Sequence, residues 1–184
     1  GGASYLDFLD ACASHCHLSL LSSGRAAYAN VWLNLKKRRP SLRRVLAPSY
    51  LCYSMLTPLT RMGAAVSFYA VNPDLTIDAD DMLRAAAAGA ATAAAAPAAV
   101  AGDDLLVLVC NYFGFPEQPE VLEAAAQLRM AGAAVMYDAT HNALCAPPTA
   151  GTKARTAADT QGEAVTSISR GSAFVVCVMS LRKS

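Results

Sequence analysis

The chain lacks most of what would assign it quickly to a class. Of its 184 residues only 16% are charged, and the formal net charge is +1. That balance argues against a dedicated nucleic-acid binder, whose footprint is a strong excess of basic residues. No run of about 18 apolar residues occurs outside an alanine tract that Gly and Pro interrupt, which argues against a membrane span. The six cysteines are irregularly spaced and do not form a disulfide framework. Cys12, His15, Cys16 and His17 have no second paired half, so a structural zinc site is not expected. Neither a Gly-x-Ser-x-Gly elbow nor a Gly-x-Gly-x-x-Gly fingerprint is present, which weakens hydrolase and dinucleotide-binding readings. No basic stretch followed by an apolar one opens the chain, so no signal peptide is read. The chain begins at Gly1-Gly2 without Met and stops at Ser184 just after an apolar run. Those ends read as cuts, and the expectation is a fragment of a longer protein.

What is present is an alternation of strand and helix signals. A short amphipathic helix is expected over 3–14. A second helix opens at Ser22-Ser23-Gly24 and ends in Lys36-Lys37-Arg38-Arg39-Pro40, with Ser as N-cap, basic residues in the last turn and Pro as the stop. Val45-Leu46-Ala47 reads as a strand ending at Pro48. Residues 51–62 read as a helix interrupted or kinked at Pro58, Ala64 to Val71 as a strand, and Asp78 to Ala88 as a helix. Residues 85–101 are nearly all alanine and read as a low-complexity loop or helix extension.

Asp104 to Cys110 is the strongest strand, continuously apolar as in a parallel sheet covered on both faces. A turn at Gly114-Phe115-Pro116, a helix over 119–131 with Gly132 as its C′ glycine, and a strand from Ala133 to Tyr137 ending at Asp138 follow. A loop over 146–162 and strands at Val165–Ile168 and Phe174–Met179, joined by Arg170-Gly171-Ser172, complete the pattern. The fold expected is α/β: a mostly parallel sheet with helices on both faces, forming one partial domain over 1–184.

In open α/β sheets ligands bind at the carboxyl ends of the strands. Asn111 follows one strand, Asp138 and His141 the next, and Ser180 and Lys183 the last, while Ser22-Ser23-Gly24-Arg25 opens a helix. An amine, a carboxylate and an anion-binding turn are what pyridoxal 5'-phosphate requires. The lysine forms the Schiff base, the carboxylate keeps the pyridinium nitrogen protonated, and the helix N-terminus takes the phosphate. Arg25 can add a charge-assisted bond.

Each residue also has a plainer reading. Ser22 and Ser23 can be an N-cap, Asp138 the cap of a turn, Asn111 ordinary turn chemistry, His141 a structural histidine and Lys183 an exposed lysine. The basic run over 36–44 reads as a solvated helix end, and Cys110, Cys145 and Cys177 as buried thiols of a reducing compartment, hence the cytoplasm.

From Ser22 to Lys183 the chain resembles the fold-type-I pyridoxal-phosphate enzymes, most closely the DegT/DnrJ-type sugar aminotransferase group. The resemblance rests on Ser22-Ser23-Gly24-Arg25, Pro48-Ser49-Tyr50-Leu51-Cys52, Asn111-Tyr112-Phe113-Gly114, Asp138-Ala139-Thr140-His141 and Ser180-Leu181-Arg182-Lys183, in that order. It implies that Lys183 is the Schiff-base lysine and proton shuttle, and that Asp138 pairs with the pyridinium nitrogen. His141 then contacts the ring or its O3′, and Asn111 contacts O3′. The amides of Gly24 and Arg25, with Ser23 and Ser180, hold the phosphate. Cys52, with Tyr53 beside it, occupies the place of an aromatic that stacks on the ring, and Arg25 stands where a small hydroxyl residue is usual. The family continues past its lysine into a small C-terminal domain missing here. The resemblance further implies transfer from an amino donor such as glutamate to a carbonyl acceptor, a nucleotide-linked keto sugar among them, by a homodimer. The competing readings are a non-catalytic α/β interaction module that keeps the fold and, more weakly, a nucleotide-binding domain.

Overall fold

The computed structural model describes residues 21–91, 102–115, 118–138 and 140–141, and the backbone of 175–178. The first helix, α1 (Gly24–Arg38), begins where the sequence predicts. Ser23 is extended, and its hydroxyl oxygen accepts the Ala26 N–H at 3.2 Å. Strand β1 (Arg44–Pro48), helix α2 (Tyr53–Arg61) and strand β2 (Ala65–Tyr69) follow. Helix α2 starts after Cys52 rather than at 51 and runs on through Pro58. Helix α3 (Ala79–Ala91) carries Asp80 and Asp81 in its first turn, where the helix dipole favours them, and takes the alanine tract as far as Ala91. A 3₁₀ turn at Gly102–Asp104 leads into β3 (Leu105–Cys110), then α4 (Pro119–Met130), β4 (Ala134–Asp138) and β5 (Val175–Val178).

The sheet order is β2-β1-β3-β4-β5, and every neighbouring pair is parallel. The chain steps from β1 to β2 in one direction, then crosses back over β1 to β3 and continues to β4. Right-handed crossovers in opposite directions must put their helices on opposite faces. Accordingly α1 and α2 cover one face with Tyr28, Trp32, Leu35, Leu56 and Leu59, and α3 and α4 cover the other with Met82, Ala86, Val121, Ala125 and Leu128. The α/β sandwich expected from the sequence is therefore the observed one.

Strand alternation divides β3 between the two cores. Leu106 and Leu108 face α1 and α2, whereas Leu105, Val107 and Val109 face α3 and α4. All six β3 residues are buried, which explains their unbroken apolar run. Strand β2 ends the sheet on one side, and its Phe68 is exposed. The buried stripe of α1 runs through Tyr28, Trp32 and Leu35 at helical spacing, while Leu33 is exposed.

The basic run is not simply a solvated helix end. Arg39 is buried and donates to the Gly132 carbonyl at 2.6 Å, and Arg44 is bound to Asp104. The expected helix over 3–14, the loop over 146–162, the turn at 170–172, the strand at 165–168 and the Cys12–His17 cluster lie outside the described residues, as do residues 92–101 of the alanine tract and Cys145. Among the described residues no helix is long and apolar enough to cross a membrane, and no group of three or more His, Cys, Asp or Glu is placed to hold a metal.

Candidate functional site

Alternation along β4 sends Ala134 and Met136 toward α1 and α2. Asp138, two residues on, shares that face at the carboxyl end of the strand and is buried. There it meets Tyr28. The Tyr28 hydroxyl donates to Asp138 Oδ2 at 2.7 Å. Burial, then the neighbouring Cys110 and Asp138, push the Tyr28 phenol far above its ordinary pKa, so it remains a donor. Asp138 Oδ1 accepts the Thr140 N–H at 2.9 Å and the Thr140 hydroxyl at 2.5 Å. The Asp138 carbonyl accepts the Asn111 N–H at 2.9 Å. An ionised carboxylate has about four acceptor positions. Three are filled here, and the remaining one, on Oδ2, has no partner among the described residues.

The N-terminus of α1 lies one turn before Tyr28, which is four residues beyond Gly24, about 6 Å along the axis. Ser23 accepts the N–H groups of Ala26 and Ala27. The N–H groups of Gly24 and Arg25 belong to the first turn, which has no intrahelical acceptors for them. Among the described residues nothing crowds the Cβ position of Gly24, and Arg25 is exposed. Cys52, at the start of α2, is exposed with its sulfur 2.9 Å from Ser54 Oγ. That hydrogen bond, with help from the Arg25 charge, holds the Cys52 thiol below its usual pKa. Tyr53 projects into solvent.

Beyond β3 the backbone makes a tight turn. Phe113 has φ +56° and Gly114 φ +79°, and the Phe115 N–H donates to the Tyr112 carbonyl at 3.1 Å. Positive φ at both central residues is the type I′ signature, which glycine meets easily and phenylalanine does not. His141 supports the turn. Its Nδ1 accepts the Phe113 N–H at 3.2 Å, and its ring stacks on Phe113 with centroids 5.5 Å apart and planes 9° apart. With Nδ1 an acceptor, the neutral imidazole carries its proton on Nε2. Asn111 is buried, and its Nδ2 donates to the Phe115 carbonyl at 2.6 Å. The Tyr112 hydroxyl donates to the Tyr50 carbonyl, which ties this turn to the segment before Cys52.

Neither a protein-family model nor a curated protein matches the chain. Solved structures do. A DegT DnrJ EryC1 StrS aminotransferase from Brucella abortus aligns over 64% of this chain and 29% of its own, at 19% identity and a TM-score of 0.47. A sugar aminotransferase from Micromonospora echinospora aligns over 65% and 30%, at 18% identity and a TM-score of 0.44. A GDP-4-keto-6-deoxymannose-3-dehydratase with bound GDP-perosamine aligns over 66% and 28%, at 18% identity and a TM-score of 0.47. The likeness is one of fold. The chain spans less than a third of each of these proteins.

Of the residues singled out in the sequence, Asn111, Asp138 and His141 come together at the carboxyl ends of β3 and β4. Ser23, Gly24 and Arg25 open the helix that carries Tyr28 to Asp138. Cys52 is close enough to Arg25 to feel its charge. Ser180 and Lys183 lie outside the described residues, and β5 leads toward them with Val178 opposite Asp138. The plainer roles are also visible in the bonds. Ser23 caps a helix, Asp138 caps a turn, and Asn111 bonds within a turn. Tyr28, Thr140 and Phe113 escaped the sequence reading. A signal existed for Tyr28, since it lies on the same stripe as Trp32 and Leu35, and a buried tyrosine hydroxyl needs a partner.

Proposed function

We propose that this chain is the cofactor-holding part of a pyridoxal-phosphate-dependent aminotransferase. The observation that carries the reading is the Asp138 carboxylate. It is buried at a strand's carboxyl end, three of its acceptor positions are filled by described residues, and its partner Tyr28 sits one helical turn beyond an N-terminus whose first amides have no intrahelical acceptor. This donor and acceptor set fits the cofactor, which needs an acidic partner at its ring nitrogen and amide donors at its phosphate. When bound, the cofactor supplies an electron-accepting ring that lowers the barrier to breaking a bond at the substrate's amino-bearing carbon.

In this reading Asp138 Oδ2 holds a proton at the ring nitrogen. The Gly24 and Arg25 amides bind the phosphate, with Ser23, Ser180 and the Arg25 side chain beside them. Asn111 and His141 orient the ring at its O3′ side. Cys52 and Tyr53 lie where one ring face is covered, and a thiol covers less of it than an aromatic would. Lys183 would be the catalytic amine, whose Nζ would take the proton from the substrate's amino-bearing carbon and give it up on the cofactor side, the shift that amino transfer requires. The reaction is amino transfer from an amino acid donor to a small carbonyl acceptor, with a nucleotide-linked keto sugar as the acceptor class. Exposed Tyr50, Tyr53, Phe113 and Phe115 on and beside the segments at the carboxyl edge support a homodimer. The low net charge fits a cytoplasmic enzyme that binds neither nucleic acid nor membrane.

The test is a titration of the 184-residue chain with pyridoxal phosphate, followed by borohydride reduction and peptide mass spectrometry. A visible absorbance band and cofactor mass on the Lys183 peptide are expected, and Lys183→Ala removes both. A wild-type chain that takes up no cofactor rejects the enzyme reading and leaves a non-catalytic module.

A further inference from the structure

We propose that Tyr28 is a positioning residue: its hydroxyl fixes the rotation of the Asp138 carboxylate, so that the Oδ2 acceptor position without a partner among the described residues meets a ring N–H in one orientation. The inference rests on the cofactor reading above and adds to it a residue outside the five motifs.

The argument starts from the freedom of an aspartate. The last torsion of Asp is broad and roughly two-fold, so a carboxylate held at one oxygen still swings. Here both oxygens are held, by different parts of the chain. Thr140 grips Oδ1 through its N–H and hydroxyl, from just beyond the strand. Tyr28 grips Oδ2 from α1, 110 positions away in sequence. The two hydroxyls and one amide fill three of about four acceptor positions.

Tyr28 is itself immobilised. It is 2% exposed, and its ring packs in the core that α1 shares with α2 and the sheet. Its phenol stays protonated because burial opposes the phenolate. The same helix opens with the Gly24 and Arg25 amides one turn away. Tyr28 thus ties the carboxylate to the rigid element that carries the anion-binding turn. The carboxylate is anchored to a buried residue of a helix as well as to the turn after its own strand.

The experiment compares Tyr28→Phe with the wild-type chain for two ligands, pyridoxal phosphate and its analogue with a carbon in place of the ring nitrogen. Equilibrium dialysis gives the affinities, and circular dichroism with thermal unfolding shows whether the fold is kept. The variant should bind pyridoxal phosphate about tenfold more weakly, the effect of one hydrogen bond to a charged group at the low end of its range. Its affinity for the analogue should be unchanged. Thr140→Val, which keeps the backbone donor, should show the same selectivity with a smaller loss. An equal loss for both ligands would mean that Tyr28 only supports the fold, and would overturn the proposal. So would no loss for either. A wild-type chain that prefers pyridoxal phosphate, beside a Tyr28→Phe chain with the same preference, overturns the role of Tyr28 alone. A wild-type chain that binds neither ligand overturns the cofactor reading and this inference with it.

Discussion

The two edges of the sheet are built on opposite plans. At the amino edge polar groups are paired off and space is closed. Arg44, the first residue of β1, makes a two-pronged bond to Asp104 just before β3, at 2.9 and 2.8 Å. Arg43 joins the same carboxylate at 3.2 Å. Arg39 reaches Gly132, and Lys36 reaches the Leu42 carbonyl. Gly102 packs so tightly against the turn before β4 that a Cβ there would run into Ala133 N and stand 2.6 Å from the Ala131 oxygen. At the carboxyl edge a buried carboxylate has one acceptor position without a partner among the described residues, a phenylalanine sits at φ +56°, and four aromatic side chains face solvent. The contrast separates the edge that fastens the sheet from the edge that can receive a ligand, as parallel α/β sheets require.

The strongest way to break this comparison is Gly102→Ala. The methyl group would meet the backbone of residues 131–133 at 2.4 to 2.7 Å, so the 3₁₀ turn and the α4–β4 turn must separate. A loss of about 3–4 kcal/mol is expected, at the upper end for overpacking, because no flexible side chain is there to yield. Denaturant unfolding measures it. A variant as stable as the wild type would show that the amino edge is looser than described.

Asp104→Asn comes next, with an expected loss of about 2–3 kcal/mol, since it leaves the largely buried Arg44 guanidinium facing a neutral amide. Burial pushes the Asp104 carboxyl up, but the Arg44 hydrogen bond and charge, then Arg43, outweigh it and hold it below the usual range. A folded value below the unfolded one stabilises the protein above about pH 4, and the contribution is lost as pH falls through the folded value. The gap between wild type and Asp104→Asn should therefore narrow below about pH 4. A constant gap down to acid unfolding would show that the charge pair is not its source.

The sequence was readable where one local rule governs. The Ser23 cap, the apolar β3, the Gly132 at φ +101° and the order of strands and helices each follow from period, cap or turn chemistry. The motifs at strand ends also located Asn111, Asp138 and His141, because the fold class itself says where such residues converge. What escaped depends on contacts between distant segments. The pairing of Tyr28 with Asp138, of Arg44 with Asp104, and the close approach of Gly102 to Ala133 each join residues far apart in sequence. The basic run reads as solvated by composition alone. The burial of Arg39 and the pairing of Arg44 within it are decided by which strand ends lie beside them. Phe113 was missed for a different reason. A phenylalanine before Gly114 carries no sign that it will adopt a conformation suited to asparagine or glycine.

That residue gives the smallest expected effect and the most discriminating one. Phe113 at φ +56° costs about 1–2 kcal/mol of backbone strain. It recovers part of that by stacking on His141, an aromatic contact of about 0.5–1.5 kcal/mol. Its side chain is 61% exposed, so burial returns little. Asn-Gly is the favoured pair for a type I′ turn, and Phe113→Asn keeps the N–H that donates to His141 Nδ1. The substitution should leave stability unchanged or raise it by about 0.5 kcal/mol, while weakening uptake of the proposed cofactor about threefold if His141, as proposed, orients its ring and loses the Phe113 ring that holds its plane. Opposite signs for stability and uptake are what the functional edge predicts and the fastened edge does not. A loss of more than about 1 kcal/mol would instead make Phe113 part of the framework, and the division between the two edges would fail at that turn.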